Sequence, residues 1–375
     1  MSSITYFVDK NTVEQEAIEQ IEACTKHPAF IKAAVMPDVH TGYDAPIGSV
    51  IMLKDYVVPS WVGYDIGCGV ASVKLPIKKQ EIEGKLEDLH KHIHNAVPCG
   101  FGAHSTQPTE TINFINTILY RSRESKVLTN AMSKRDYIGQ FGTLGTGNHF
   151  LEVGYDEEDN VWVTVHSGSR GLGHEVATYW MTKQKDENPN GFLTNSKEGK
   201  EYINDMVTCI LYAFSNREEM LTATAKAILG PNIEIPDIYV NANHNHAEII
   251  ALHELGQVVI HRKGATNSNH DELGVIPGNM RDGVFIVKGL GNEESIRSSS
   301  HGAGRVMSRS KAKKTINLNS FVESMKGVAS DAGPKTLDES PDAYKDIFSV
   351  IKQQEEAGIL EVIKHIKPLI NIKGA

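Results

Sequence analysis

The sequence predicts an α+β fold with mixed β-sheets. Two observations carry this expectation. Short apolar runs bounded by glycine and polar turns recur along the chain: "AAVM", "SVIML", "VASVKL", "VWVTV", "DIYVNA", "QVVIHRK" and "VFIVKG" all read as strands. Helical patterns are fewer, and they do not alternate regularly with the strands as a doubly wound parallel sheet would require.

Taken in order, residues 13–24, "VEQEAIEQIEAC", place Val13, Ala17, Ile18, Ile21 and Ala23 at helical spacing. Further helical patterns lie near 83–96, 110–122 and 341–355, and the longest runs from 198 to 229. The polar segment 183–200, "KQKDENPNGFLTNSKEGK", reads as a loop. No internal repeat is visible.

A chain of 375 residues buries a substantial core, and its length allows either two domains or one large one. Hydrophobic residues at 40% and charged residues at 23% exclude a disordered class. No apolar run approaches the ~20 residues of a spanning helix, so no membrane partner is expected. The start, "MSSITYFVDKNTVEQEAIEQ", lacks a basic end followed by an apolar core, and a cytoplasmic location is the expectation.

The four cysteines, Cys24, Cys68, Cys99 and Cys209, are widely separated and form no CxxC pair. A special cysteine here is a thiolate ligand, a nucleophile or buried filler. The net charge of -9 argues against coating nucleic acid by bulk attraction, but it allows a local basic groove.

Polar clusters flanked by glycine recur at predicted strand ends. "MPDVHTGYDAPIGSV", 36–50, gathers Asp38, His40 and Asp44, which a plain structural reading treats as turn caps. "GYDIGCGV", 63–70, sets Asp65 three residues before Cys68 in a flexible backbone, so carboxylate and thiolate can aim at one point. Hard oxygen with soft sulfur suits a divalent transition metal. The plain alternative is a buried free cysteine beside a capping aspartate.

"GTLGTGNHFLEV", 142–153, brings Asn148, His149 and Glu152 to the start of a strand, without the lysine of a P-loop. "VWVTVHSGSRGLG", 161–173, ends a buried strand in His166, Ser167, Ser169 and Arg170, where Arg170 and the hydroxyls can bind an oxyanion. "NANHNHAEI", 241–249, puts His244 and His246 on one face if extended. A lone histidine is more often structural than a ligand. Together, His149, His166 and His244 with Asp65 and Cys68 supply enough ligands for one or two metal ions.

The stretch "SSSHGAGRVMSRSKAKK", 298–314, sets His301 before a small glycine-rich turn and a run of cations. If helical from Gly304, it puts Arg305, Ser308 and Arg309 on one face, with backbone amides ready for a phosphate. A solvated cationic helix is the plain reading.

The whole set resembles the RtcB-type RNA-splicing ligase family. The resemblance rests on "MPDVHTG", "GYDIGCGV", "GTLGTGNHFLEV", "HSGSRGLG", "HRKGA", "VIPGNM", "GLGNEES", "SHGAGRVMSRSKAKK", "AYKDI" and "IKGA", in family order from residue 36 to the C-terminus. It implies a single large α+β domain over residues 1–375 with mixed β-sheets around a deep metal-containing cleft, and an enzyme that uses GTP and two Mn2+ ions to join RNA ends. Metal ligands then fall on Asp65, Cys68, His149, His166 and His244, and the guanylylated nucleophile on His301. Guanosine contacts fall on Asn148, Glu152, Asn279, Tyr344 and Lys373. Arg170, Arg305 and Arg309 become candidates for RNA phosphates. The implied substrate is RNA with a 3'-phosphate or 2',3'-cyclic phosphate and a 5'-hydroxyl end. An archease-like activator and a monomeric state complete the expectation.

The chain also departs from the family pattern. Asn279 stands where serine is usual, Asn243 replaces a second histidine, and "HTGYDAPIG" differs from the commoner "GKG" form of that loop. Cysteine with several histidines suggests zinc by ligand softness, whereas the family uses manganese. The Lys-x-Asp-Gly signature of lysine-based nucleotidyl transfer is absent, since "MRDG" at 280–283 carries Met280 in the lysine position. The alternatives are a metal-dependent phosphoesterase using the same ligands and a non-catalytic protein that binds RNA ends.

Overall fold

The computed structural model describes residues 4–122, 124–234 and 236–374. Two mixed sheets organise the chain. The smaller has five strands in the order Ile4–Tyr6, Phe30–His40, Ile47–Lys54, Gly256–Lys263 and Asn245–Leu252. The larger runs Leu273–Pro277, Val284–Gly289, Leu360–Lys373, Phe150–Tyr155, Asn160–Ser167, Gly69–Lys78 and Val240–Asn243, with Ala329–Ser330 pairing beside Leu360–Lys373. The α+β expectation therefore holds.

Alternating side chains explain how the sheets meet. Ala34, Met36, Val50, Met52, Val258 and Ile260 of the smaller sheet pack with Ile276, Phe285, Val287 and Leu360 of the larger, and Ile347, Val350 and Ile351 of the helix Ile347–Glu356 join them. On another core, Ala71, Val73, Leu151, Val153, Val163 and Val165 pack against Met220, Leu221 and Ala225 of the long helix Lys197–Leu229. Each Val, Leu, Ile, Met or Phe side chain fully buried here contributes about 1.5–3 kcal/mol. The long helix starts at Ser196, whose hydroxyl accepts from Gly199 N, and stops at Gly230, where φ is 101°.

Among the elements that differ from the sequence expectation, a helix and a strand bear on the site. The helix Arg170–Glu187 occupies part of the segment read as a loop, because its opening "RGLG" hides the apolar stripe of Leu172, Val176, Ala177 and Trp180. The central strand Leu360–Lys373 was also unread. Its apolar alternation is interrupted at Pro368, where the register against Phe150–Tyr155 shifts between Pro368 and Ile370. Proline lacks an N–H, so a bulge accommodates it. Beyond the bulge, Asn371 stands opposite Glu152 and Lys373 opposite Phe150.

Candidate active site

The metal-ligand candidates converge because neighbouring antiparallel strands expose alternate ends at one edge of the larger sheet. His149 immediately precedes Phe150–Tyr155, His166 is next to last in Asn160–Ser167, and Cys68 precedes Gly69–Lys78. Register then closes the group: Phe150 and Val70 both pair with His166, and Gly69 pairs with Asn243. The His244 N–H donates to the Cys68 carbonyl at 2.8 Å.

Side-chain contacts form a continuous chain. His149 Nε2 lies 2.9 Å from Asp65 Oδ2 and 3.4 Å from Cys68 Sγ. Cys68 Sγ is 3.2 Å from His166 Nε2, which is 3.3 Å from His244 Nε2. Cys68, His149 and His166 are buried and hold their ligand atoms within 4.8 Å of one another.

His149 Nδ1 faces the Leu144 carbonyl at 3.0 Å, an oxygen that only accepts. A proton on Nδ1 there leaves Nε2 to meet the Asp65 carboxylate and the Cys68 sulfur through a second proton or a shared cation. Burial holds the His166 and His244 imidazoles neutral, well below their usual range. Partial burial works to raise the Asp65 carboxyl, but His149, Cys68 and Arg170 bring it down to about 2. Burial, then Asp65, pushes the Cys68 thiol well above its usual range. A cation among these donors replaces lone-pair opposition with coordination and turns the thiol into a thiolate, so the group fits a divalent metal.

Nearby side chains hold this edge rigid. Arg217, wholly buried on the long helix, donates to the Gly67 and Ser167 carbonyls at 2.8 and 2.9 Å, and to Asn241 Oδ1 and Asn243 Oδ1 at 2.7 Å each. Asn243, the family departure, is thus a partner of this arginine. Asn216 accepts from Gly142 N at 2.7 Å and donates to Ser167 Oγ at 3.3 Å. Gly145 has φ 95°, and a Cβ there would come within 1.8 Å of Arg170 Nη1 and 2.8 Å of His149 Nδ1. Glycine at that position lets the loop carrying His149 close over Arg170.

His301 approaches from a separate two-stranded ribbon, Ala265–Asn267 paired with Ser298–Ser300. It follows the strand Ser298–Ser300, and its Nδ1 lies 2.7 Å from Oδ2 of the wholly buried Asp38. Its ring centroid is 4.8 Å from that of His244. Gly304, with φ 76°, lets the following turn pack on the Asp38 carbonyl, where a Cβ would come within 2.2 Å.

A cavity of about 750 Å³ opens beside this pair. Asn148, Glu152, Asn279, His301, Tyr344 and Lys373 all line it, together with His166, Arg305 and Arg309. Glu152 Oε2 accepts from Asn371 Nδ2 at 2.9 Å, whereas Oε1 is buried with no partner among the described residues. Burial raises the Glu152 carboxyl to about 8 despite Asn371 and Lys373. Asn279 is committed to its own turn: Nδ2 donates to Asp282 Oδ2 at 2.7 Å, and Oδ1 accepts from Arg281 N and Asp282 N.

The acidic pair Asp338 and Glu339 was missed by sequence reasoning. Glu339 accepts from Tyr344 Oη at 2.6 Å, from Lys373 Nζ at 2.8 Å and from Arg309 Nη1 at 2.7 Å, with Arg305 Nη1 at 3.4 Å. Arg309 also reaches Asp338 Oδ2 at 2.8 Å, and Arg305 donates to the Asp338 carbonyl at 2.6 Å. Burial opposes ionisation of Glu339, but Lys373 and Arg309 bring its carboxyl below the usual range. The only sequence signal was a carboxylate pair close before "AYKDI", with nothing to show its partners.

Two expectations need correction, and Arg170 lies apart from the cavity. The chain is not helical from Gly304: the helix is Arg309–Thr315, Ser308 caps it by accepting from Lys311 N, and Arg305 precedes it. "HGAG" therefore does not supply a helix start. His246 does not join His244, because the chain passes between sheets there and His246 pairs across with Arg262 in the smaller sheet. Arg170 sits outside the cavity lining, with φ 57°, its Nε donating to Thr143 Oγ1 at 3.2 Å and its Nη2 to the Gly100 carbonyl at 3.3 Å.

The family model described as tRNA-splicing ligase RtcB matches residues 20–374. The chain belongs to the RtcB family. It is 34% identical to the RNA-splicing ligase RtcB of Escherichia coli K12, over 96% of this chain and 95% of that protein. It is 30% identical to the tRNA-splicing ligase RtcB of Nanoarchaeum equitans, over 98% and 92% respectively. No helix among the described residues is long and apolar enough to cross a membrane.

Proposed function

We propose that residues 1–375 act as one RNA ligase domain that joins a 3'-phosphate or 2',3'-cyclic phosphate end to a 5'-hydroxyl through a His301–GMP intermediate. The observation that carries this reading is one cavity lined by His301, His166 and Glu152, at the edge of the Cys68 cluster.

Asp38 accepts the Nδ1–H hydrogen bond of His301 and so holds the tautomer whose Nε2 lone pair faces the α-phosphorus of GTP. The new N–P bond forms as the bond to the pyrophosphate oxygen breaks. Asp38 then compensates the positive ring, and pyrophosphate leaves. An RNA 3'-phosphate oxygen next attacks this phosphorus and breaks the N–P bond. Finally the 5'-hydroxyl oxygen attacks the activated RNA phosphorus, giving up its proton, and GMP departs. A cyclic end opens first to the 3'-phosphate by hydrolysis. Asp65, Cys68, His149, His166 and His244 would hold two Mn2+ ions, whose charge neutralises phosphate and pyrophosphate oxygens.

The unpartnered Glu152 Oε1 suits the N–H edge of guanine, and an adenine in the same pose would present a lone pair instead. Tyr344 and Lys373, both tied to Glu339, form a fixed wall for the nucleoside. Asn148 lines the same cavity for a guanosine contact, whereas the turn-bound Asn279 has little remaining capacity.

The test is incubation with GTP and Mn2+ followed by peptide mass analysis, then a joining assay on RNA with defined ends. A GMP adduct on the His301 peptide and a joined product are expected from the wild type, and neither from His301→Ala. An unmodified wild-type His301 peptide with intact metal would sink the ligase reading.

A further inference from the structure

The metal-ligand cluster has a second approach, away from the nucleotide cavity. Asp65 is the ligand candidate that reaches solvent, its side chain 35% exposed against 6% for His149. The residue before it, Tyr64, carries a ring 41% exposed. That ring stacks on exposed His174, with centroids 5.3 Å apart and planes 21° from parallel. Tyr43, 50% exposed, leans on Tyr64 at 5.9 Å and 56°.

Three separate segments therefore build one aromatic surface: the loop after Phe30–His40, the turn leading to Cys68, and the first turns of Arg170–Glu187. The loop is anchored from beneath, because buried Lys263 donates through Nζ to the Tyr43 carbonyl and, at 3.0 Å, to the Ser60 carbonyl. Leaving two large rings in water forgoes their burial, and an anchored backbone keeps them there.

We propose that Tyr43, Tyr64 and His174 form a stacking platform for unpaired bases next to the RNA end that is joined. The proposal rests on the ligase reading above. It commits to bases because every base offers a π-face to a ring, and Tyr43, Tyr64 and His174 present three such rings in a row, with neighbouring centroids 5.9 and 5.3 Å apart. It commits to the bases nearest the joined end because Tyr64 is covalently next to Asp65, whose carboxylate touches His149 of the cluster. Tyr43 lies in the loop "HTGYDAPIG", which differs from the commoner "GKG" form.

The experiment uses single-stranded RNA with 2-aminopurine near the reacting end, titrated with full-length protein and Mn2+. Wild type is expected to quench the probe by stacking. Tyr64→Ala and the double variant Tyr43→Ala/Tyr64→Ala lose the quenching and raise the RNA KM by on the order of tenfold per lost base contact. Tyr64→Trp restores both. Joining is read as a ratio to His301 guanylylation, a step that needs no RNA. Unchanged quenching and RNA KM in the alanine variants, or equal affinity for a blunt duplex, would overturn the platform. If the wild type forms no GMP adduct, the ligase reading fails by itself, while the quenching titration still decides whether bases stack here.

Discussion

His301 Nδ1 lies 2.7 Å from Asp38 Oδ2, and the His301 backbone N–H donates to the same oxygen at 3.1 Å. One buried carboxylate thus fixes both the ring's tautomer and the peptide that carries it. Burial opposes the charge on Asp38, yet His301, His40 and Lys345 keep its carboxyl below the usual range.

Asp38→Asn should therefore lower His301 guanylylation by on the order of 10²-fold or more, since an amide can stabilise the wrong tautomer and carries no charge for the imidazolium. GTP affinity should change little. Single-turnover guanylylation at saturating GTP is the measurement, and a rate within twofold of wild type would remove Asp38 from this role.

Removing one member of the Cys68 contact chain should empty the cluster. Cys68→Ser is expected to lose bound Mn2+ and, with it, guanylylation. Chelation should lower the melting temperature of the wild type but not of Cys68→Ser, because only the wild type gains stability from a ligand that binds the folded state. Metal content by mass spectrometry, alongside thermal melts, checks both statements.

Glu152 sets a pH dependence. Its carboxyl is raised from 4.5 to about 8 by burial, so the folded state holds a proton that the unfolded state has released between those values. Its contribution to stability is thus complete below about 4.5 and lost as pH rises through about 8. A guanine edge instead favours the carboxylate, and guanosine binding should tighten with rising pH, levelling off above about 8. Glu152→Gln is expected to flatten both profiles. Guanosine titrations and urea melts from pH 5 to 9 read them, and a wild-type affinity flat across that range would count against the assignment.

Arg217 should matter for both stability and metal affinity. Arg217→Ala leaves the Gly67 and Ser167 carbonyls and two asparagine oxygens without their donor, at about 1–3 kcal/mol for each group that stays dry. A loss of at least about 3 kcal/mol in urea melts is expected, with weaker Mn2+ binding. Arg217→Lys should recover only part, since an ammonium cannot span four acceptors in a fork. A stability change below about 1 kcal/mol would show that water replaces the guanidinium.

The sequence alone determined the chemistry available: a thiol, a carboxylate and histidines at glycine-bounded strand ends, and a histidine inside "SSSHGAGR". Strand identities were also legible, because apolar alternation is local and period two. The strand Leu360–Lys373 was not, since Pro368 breaks its pattern and only pairing with Phe150–Tyr155 compensates. Tertiary structure decided the pairings. Asp38 and His301 are 263 positions apart, Glu339 and Lys373 meet across 34, and Arg217 reaches the Gly67 carbonyl across 150. It also separated His246 from His244 by sending the chain from one sheet to the other. Local sequence fixes which side chains alternate along a strand, but strand order and register decide which ends become neighbours, and these are set by burial of both sheets at once.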